Sequence, residues 1–304
     1  MYLFIVNQVA GNGRGKRIFN KIRKSTRYQQ LESTYVFTDY EGHAEEIARE
    51  ATKNNLVNLK AIVVIGGDGT LHEVMNRMED ISIPLAFIPG GSGNDFARGM
   101  NLPNNPLEIL KHIIEADIQQ SYWLGNFSLE DAESKRFVNS IGFGFDAEIA
   151  NIANQSWYKK VLNLFRLGSF SYAIALIHVL FQFRPFKVEI EMNNRKRVIE
   201  QCWMITIANH MYYGGGMKII PNAKIQPTTF PVLLIHRISK WKILGMFITV
   251  FTGKHVNFKE VELLEASKVS ILTEENIHYQ VDGQTNRCSR CTVSKESTSI
   301  QIIG

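Results

Sequence analysis

Two hydrophobic periods alternate along the first 115 residues. Strand-like runs lie at 2–6, 33–38, 61–65 and 85–88. Segments near 15–24, 42–54, 71–79 and 106–115 carry apolar residues at helical spacing. Ile18, Phe19 and Ile22, for example, share one helix face. The uninterrupted apolar run at 61–65 reads as a strand buried on both sides. Strands alternating with helices predict an α/β domain with a parallel sheet covered by helices.

The pattern changes between residues 120 and 130. Residues 137–146 are glycine-spaced and strand-like, and 187–192 with 197–207 read as a hairpin turning at Asn193-Asn194. Further strands are expected at 232–238, 260–264, 268–272, 278–281 and 299–303, with helices only near 157–183 and 240–253. This half reads as a β-rich, mostly antiparallel sandwich. The predicted domains are therefore 1–125 and 126–295.

Three of the strands in the first half end in glycine-rich turns. The run at 61–65 is followed by Gly66-Gly67-Asp68-Gly69-Thr70, with Glu73 three residues on. Thr70 and Glu73 have capping-box spacing, which makes Thr70 the expected N-cap of the next helix. A glycine turn delivered to a helix N-terminus offers free N–H groups and the positive end of a dipole, which suits a phosphate. Asp68 is out of place beside a bare phosphate and fits one that carries a divalent cation. The other turns are Asn7-Gln8-Val9-Ala10-Gly11-Asn12-Gly13 and Pro89-Gly90-Gly91-Ser92-Gly93, the latter leading into Asn94-Asp95-Phe96-Ala97-Arg98. In an open α/β sheet, loops at the carboxyl ends of parallel strands converge on one crevice. Gly15-Lys16 is followed by Arg17, so the Walker A spacing is not met.

Composition narrows the class further. Of 304 residues, 45% are hydrophobic, and the formal net charge is +5. That excludes wholesale disorder and fits attraction to polyanionic nucleotides or an anionic membrane surface. Basic and aromatic residues do not interleave as in nucleic-acid modules, so no nucleic-acid partner is expected. Three cysteines (Cys202, Cys288 and Cys291) fit a reducing cytoplasm, and one C-x-x-C pair is too few ligands for zinc. No signal peptide is read at the N-terminus. The stretch at 170–183 is too short to span a bilayer, and the aromatic and cationic run at 157–166 is a candidate membrane-docking surface or a buried helix. His43, His72, His178, His210 and His236 are scattered and read as structural.

These motifs in this order resemble the bacterial soluble diacylglycerol kinase and lipid kinase family, relatives of sphingosine kinases. The resemblance rests on Gly66–Thr70 with Glu73 and Asn76, on Pro89–Arg98, and on Phe137-Val138-Asn139 leading to Gly142–Glu148. Asn209, Gly214-Gly215-Gly216-Met217, Pro221-Asn222-Ala223 and Val281-Asp282-Gly283 extend it. It implies a nucleotide-binding α/β domain of the NAD kinase and diacylglycerol kinase type, and a β-rich domain that admits the lipid. It also implies a final strand, near 296–304, returning to the first domain. The implied reaction is ATP-dependent phosphorylation of a lipid hydroxyl, diacylglycerol to phosphatidate in the leading case. ATP and Mg²⁺ are the implied cofactors. The implied nucleotide contacts are Asn7, Gly11, Thr38, Gly66, Gly67, Gly69, Thr70, Asn76, Gly91, Ser92, Gly93 and Asn94. Asp68 would orient the ATP magnesium, Asp95 would support it, and Asp282 and Gln284 fall at the family's catalytic positions. Such a protein would be cytoplasmic and peripheral to the membrane that holds its substrate; a homodimer stays open.

Three departures accompany the resemblance. Gln284 stands where the family has a glutamate base, Pro227-Thr228 where it has an aspartate for a structural Mg²⁺, and Trp123 where an acidic residue precedes Leu124-Gly125. A neutral amide cannot take a proton as a carboxylate does. A catalytically impaired nucleotide- and lipid-binding regulator is therefore the alternative, and an NAD kinase-like small-molecule kinase is the third reading.

Overall fold

Strand β1 (Tyr2–Asn7) opens the chain and becomes an inner strand of the first sheet. The computed structural model describes residues 1–53, 59–115, 119–130, 132–154 and 176–304. Two compact units result: Met1–Leu124 with Gly214–Gly216 and Glu296–Gly304, and Gly125–Tyr213 with Met217–Lys295.

In the first unit, β1 is followed by α1 (Ala10–Arg23), α2 (Thr26–Gln29), β2 (Ser33–Thr38), α3 (His43–Lys53), β3 (Ala61–Gly66), α4 (Asp68–Arg77), β4 (Leu85–Pro89), α5 (Asp95–Gly99), α6 (Pro106–Glu115) and β5 (Gln119–Tyr122). The last strand of the chain, β17 (Ile300–Ile303), inserts between β4 and β5, giving the order β2-β1-β3-β4-β17-β5. All neighbours pair in parallel except β17 with β5. Side chains alternate across the sheet. Phe4 and Val6 therefore join Phe19, Ile22, Ile109 and Ile113 in one core layer, and Leu3 and Ile5, equally buried, face the other side. Phe4, Phe19 and Tyr28 meet edge-on or tilted, with ring centroids 5.1–6.3 Å apart.

The capping box does not form. α4 starts at Asp68, because Gly67 takes the extended N-cap conformation (φ −98°, ψ −178°) and supplies no side chain. Thr70 is thus already inside the first turn, and its Oγ1 accepts from Asn7 Nδ2 at 2.9 Å. Glu73 accepts instead from the backbone N–H groups of Gly42 and Ala44, where α3 begins. It is an anion at a neighbouring helix's N-terminus rather than at its own.

The second unit contains β6 (Gly125–Leu129), β7 (Lys135–Phe137), β8 (Ser140–Gly144), α7 (Phe145–Asn154), β9 (Phe186–Met192), β10 (Arg195–Ala208) and the ribbon β11 (Tyr212–Tyr213) with β12 (Met217–Lys218). It continues with β13 (Phe230–His236), α8 (Lys240–Thr249), a 3₁₀ turn at Lys254–Asn257, β14 (Val261–Ala266), β15 (Lys268–Val281) and β16 (Gln284–Lys295). Nine of these strands form one antiparallel sheet in the order β14-β13-β10-β8-β15-β16-β6-β7, with β9 also joining β10 to β15. Phe137 near one end of the sheet stacks on Phe230 near the other (centroids 5.6 Å, 28°). A single sheet therefore folds over onto itself, and this is how the expected sandwich is built.

The hairpin at Asn193-Asn194 is present, with φ of 51° and 62°, the paired left-handed values of a type I′ turn. The runs at 268–272 and 278–281 are one strand, β15, whose register shifts between Leu272 and Ile277. Strand β16 has no counterpart among the sequence-predicted elements, because its buried positions are Cys288, Cys291 and Val293 amid polar residues. The C-x-x-C pair is core: both thiols are buried in the second unit's hydrophobic cluster, and burial pushes both pKa values up. The run at 157–166 lies outside the described residues; 176–182 is helical.

Phe137→Ala should cost about 3–5 kcal/mol of stability by urea denaturation, since it opens a cavity where the sheet closes on itself.

Candidate active site

In the first unit, the three glycine turns stand side by side because β1, β3 and β4 are neighbours in one parallel sheet. Gly90 and Gly91 both donate their N–H to the Gly66 carbonyl, at 2.7 and 3.1 Å. A Cβ on Gly91 would lie 2.5 Å from the Gly67 Cα, and one on Gly11 would strike the Gly90 carbonyl. Only glycine allows backbone to meet backbone in this way. Gly11, Asn12 and Gly13 adopt left-handed φ of 55°, 55° and 81°, turning the chain before the right-handed part of α1. Asn7 anchors that turn: its Oδ1 accepts from the N–H of Val9 (3.2 Å) and Ala10 (3.1 Å). Thr38, buried at the end of β2, lies opposite Asn7 in register.

Asp68 binds the third turn to the second. Its Oδ2 accepts from Asp95 N (3.1 Å) and its Oδ1 from Phe96 N (3.0 Å), so one carboxylate receives the start of α5. Asp95 is buried. Its Oδ1 meets Arg98 Nη1 at 2.9 Å, and its Oδ2 accepts from Gly215 N at 2.7 Å. Burial raises its pKa, opposed by Gly215 and Arg98. Arg98 also donates to the Gly93 carbonyl. Asn94 holds its own turn, bonding Gly91 through both side-chain ends at 2.9 Å from an αL backbone (φ 56°). Gly69 and Ser92 are exposed, and a Cβ on Gly69 would meet nothing within 4 Å.

Asn7, Gly11, Thr38, Gly66–Thr70 and Gly91–Asp95 are thus brought together at one end of one sheet. Asn76 is not: it lies in the last turn of α4, eight residues or about 12 Å along the helix from Asp68. The motifs alone assign no role to Gly215 or Arg98. The glycine triplet at 214–216 is the available signal, and its long separation from Asp95 hides the partnership.

Asp282 and Gln284 belong to the second unit. Asp282 (φ 49°) and Gly283 (φ 93°) turn β15 into β16. The Asp282 carboxylate accepts from the N–H of Val138 (2.7 Å), Asn139 (2.7 Å) and Ser140 (3.0 Å), so it holds the loop that enters β8. Gln284 is exposed at the start of β16. Behind that loop, Asn139 Oδ1 meets His210 Nε2 at 2.9 Å, and Asn209 joins Val138 O (2.7 Å) to Lys295 Nζ (2.6 Å). Burial lowers His210 to about 4 and Lys295 to about 7; the Lys295 ammonium lies 4.3 Å from the Phe230 ring centroid.

The second unit also contains an apolar pocket, partly open to solvent, with a cavity volume of about 70 Å³. Its walls include Phe145, Trp203, Met204, Met217, Ile243 and Met246. One acid lines it. Asp146 is fully buried, its Oδ2 accepts from the Tyr213 hydroxyl at 3.3 Å, and its Oδ1 has no partner among the described residues. Desolvation raises its pKa to about 7. A carboxylic acid held so can donate as well as accept a hydrogen bond near neutral pH.

The profile of the diacylglycerol kinase catalytic domain matches residues 1–123, and that of the YegS C-terminal NAD kinase beta sandwich-like domain matches residues 139–303. The chain belongs to the diacylglycerol kinase family. It is 30% identical over 288 residues to "Putative lipid kinase YtlR" of Bacillus subtilis (strain 168), covering 93% of each chain. It is 28% identical over 243 residues to a diacylglycerol kinase of Mycobacterium tuberculosis (strain H37Rv), covering 80% of this chain and 76% of that one. A solved diacylglycerol kinase of Bacillus anthracis (strain Sterne) shares the fold with a TM-score of 0.72 at 21% identity, over 99% of this chain and 96% of the other. Family membership gives the reaction class, phosphoryl transfer from ATP to a lipid. Among the described residues, no helix is long and apolar enough to cross a membrane.

Asp282→Ala should lower the second unit's stability by about 2–4 kcal/mol in chemical denaturation, because three backbone donors lose their acceptor. For Asp146 the folded-state pKa lies above the unfolded value of 3.8, so its contribution falls as pH rises from about 4 to about 7. Relative to wild type, Asp146→Asn should therefore gain about 3–4 kcal/mol of unfolding free energy between pH 4 and pH 7 and level off above. Measuring both proteins cancels the opposing titration of His210.

Proposed function

We propose that this chain is an ATP-dependent kinase that phosphorylates the free hydroxyl of diacylglycerol, yielding phosphatidate. The observation that carries the lipid reading is the pocket of the second unit: its walls are apolar, and Asp146 is the one acid among its lining residues. Apolar walls suit an acyl chain, and a protonated carboxyl suits an ester or hydroxyl oxygen beside it. The first unit supplies the other half. The N-terminus of α4, at the end of β3, carries the exposed Gly69 with open space over it, and a helix N-terminus of this kind suits a triphosphate.

Magnesium fits this donor set in one way only. No three His, Cys, Asp or Glu side chains among the described residues are placed to hold a metal ion. Mg²⁺ commonly takes one or two carboxylates together with substrate phosphates. Asp68 is the carboxylate in the glycine turns, at the start of α4. When bound, the ion would neutralise phosphate charge. The residues of this chain do the rest: Asp95, Arg98 and Gly215 fix the Gly91–Asn94 turn, and Asn7 fixes the first turn against Thr70.

The second reading, a nucleotide- and lipid-binding protein with weak turnover, rests on Gln284, which offers no carboxylate at the position where the family's base stands. General-base catalysis contributes about 10²–10⁴-fold, so its absence slows the reaction without abolishing it. Radiolabelled ATP with a panel of diacylglycerol, a sphingoid base and a water control separates the readings. Label transferred to diacylglycerol, and increased up to about 10²-fold by Gln284→Glu, is the expected result. Saturable ATP binding with no labelled lipid would favour the binding protein. Asp68→Ala should abolish transfer, and full turnover in that variant would remove its proposed role.

A further inference from the structure

Helix α8, with sequence KWKILGMFIT, is apolar on both sides. Ile243, Met246 and Phe247 face inward and, with Val250 beyond the helix, line the lipid pocket. At 100° per residue, Trp241, Gly245 and Ile248 occupy the opposite face, while the half-buried Leu244 packs against the core. There Trp241 is 73% and Ile248 74% exposed, and Phe251 just past the helix is 51% exposed. The helical stretch at 176–182 extends the patch. Phe181 is 59% exposed and meets Trp241 edge-on at 6.3 Å, and Lys240 Nζ donates to the Phe181 carbonyl at 2.6 Å. A soluble helix normally keeps one polar face, so this outer face is without its usual hydration.

Charge identifies what covers it. From Arg237 to Lys259 the chain contains Arg237, Lys240, Lys242, Lys254 and Lys259 and not one Asp or Glu. The nearest acid in sequence, Glu260, is buried and holds Lys242 at 2.6 Å, so one of the five cations is partly neutralised. An exposed tryptophan among aliphatic side chains, on a segment of five cations and no acid, matches the interfacial zone of an anionic bilayer: the ring at headgroup level, the aliphatic groups below it, the ammonium groups on lipid phosphates. The ten-residue helix is too short to span a bilayer, so it would lie in the surface plane.

We infer that the outer face of α8, with Phe251 and Phe181, is the surface by which this protein docks on an anionic membrane, its inner face meanwhile walling the lipid pocket. One helix would then join the bilayer to the acyl-chain site, so that a lipid passes along α8 without crossing water. The inference rests on the lipid-kinase reading for its purpose, but the docking is measurable without turnover.

The test is flotation of the full chain with vesicles of phosphatidylcholine alone and of phosphatidylcholine mixed with phosphatidylglycerol. Binding to the mixed vesicles, reduced by salt and weakened about tenfold or more in the triple variant Trp241→Ala, Ile248→Ala, Phe251→Ala, is expected. The triple variant should keep wild-type transfer to a short-chain, water-soluble diacylglycerol and lose it towards vesicle-borne diacylglycerol. If neither protein phosphorylates either lipid, the kinase reading fails while flotation still decides the docking. Equal flotation of wild type and variant, or of wild type on both vesicle types, would overturn the inference. So would a wild-type dimer in analytical ultracentrifugation that the variant abolishes without change in flotation, because a second copy would then cover this face. Circular dichroism of the variant checks that it is folded, and Lys240→Glu with Lys254→Glu, leaving the apolar face intact, should also weaken binding to the mixed vesicles.

Discussion

The first unit depends on a crossing of bare backbone. Two carbonyl-directed N–H groups from Gly90 and Gly91 meet Gly66, and the Gly67 and Gly91 Cα atoms come too close for a side chain on Gly91. Everything nearby follows from that approach. It brings the turn after β4 against the turn after β3, lets Asp68 receive the first N–H groups of α5, and places the N-terminal N–H groups of α4 at the sheet's end with open space at Gly69. A phosphate tail needs such donors, and any larger residue at the crossing would push the turns apart.

Four carboxylates in this protein bind backbone. Asp68 holds α5, Asp95 holds Gly215, Asp282 holds three successive N–H groups, and Glu73 holds the start of α3. Each ties two segments distant in sequence, and each substitutes for a helix cap or strand pairing that its target lacks. Asp146 differs: desolvation outweighs the Ala147 backbone and the Gln280 and Tyr213 side chains, and raises its pKa to about 7.

The second unit shows how one sheet serves two purposes. Its concave side is filled by Phe137, Phe143, Phe230 and their neighbours. A second cluster, built from α7, α8 and residues of β10 and β13, surrounds the pocket. The pocket thus has a rigid sheet behind it and a helix in front, and the helix carries apolar side chains outward as well.

Much of this architecture is legible in the order of the amino acids alone. Apolar runs by themselves locate β1, β3 and β4, since strands buried on both faces must be continuously apolar. The glycine turns follow from the need for positive φ and close approach at their ends, and the Asn193-Asn194 hairpin is legible for the same local reason. What chain order cannot reveal are partnerships across long separations: Gly215 with Asp95, Asp282 with residues 138–140, and β17 inserted beside β4. Strand β16 is hidden because cysteines fill its core positions, and the capping-box spacing misleads because Asn7, sixty-three residues earlier, claims the Thr70 hydroxyl. Local conformational preference is written residue by residue, whereas the partner of a buried polar group is fixed by where the folded chain brings a free donor.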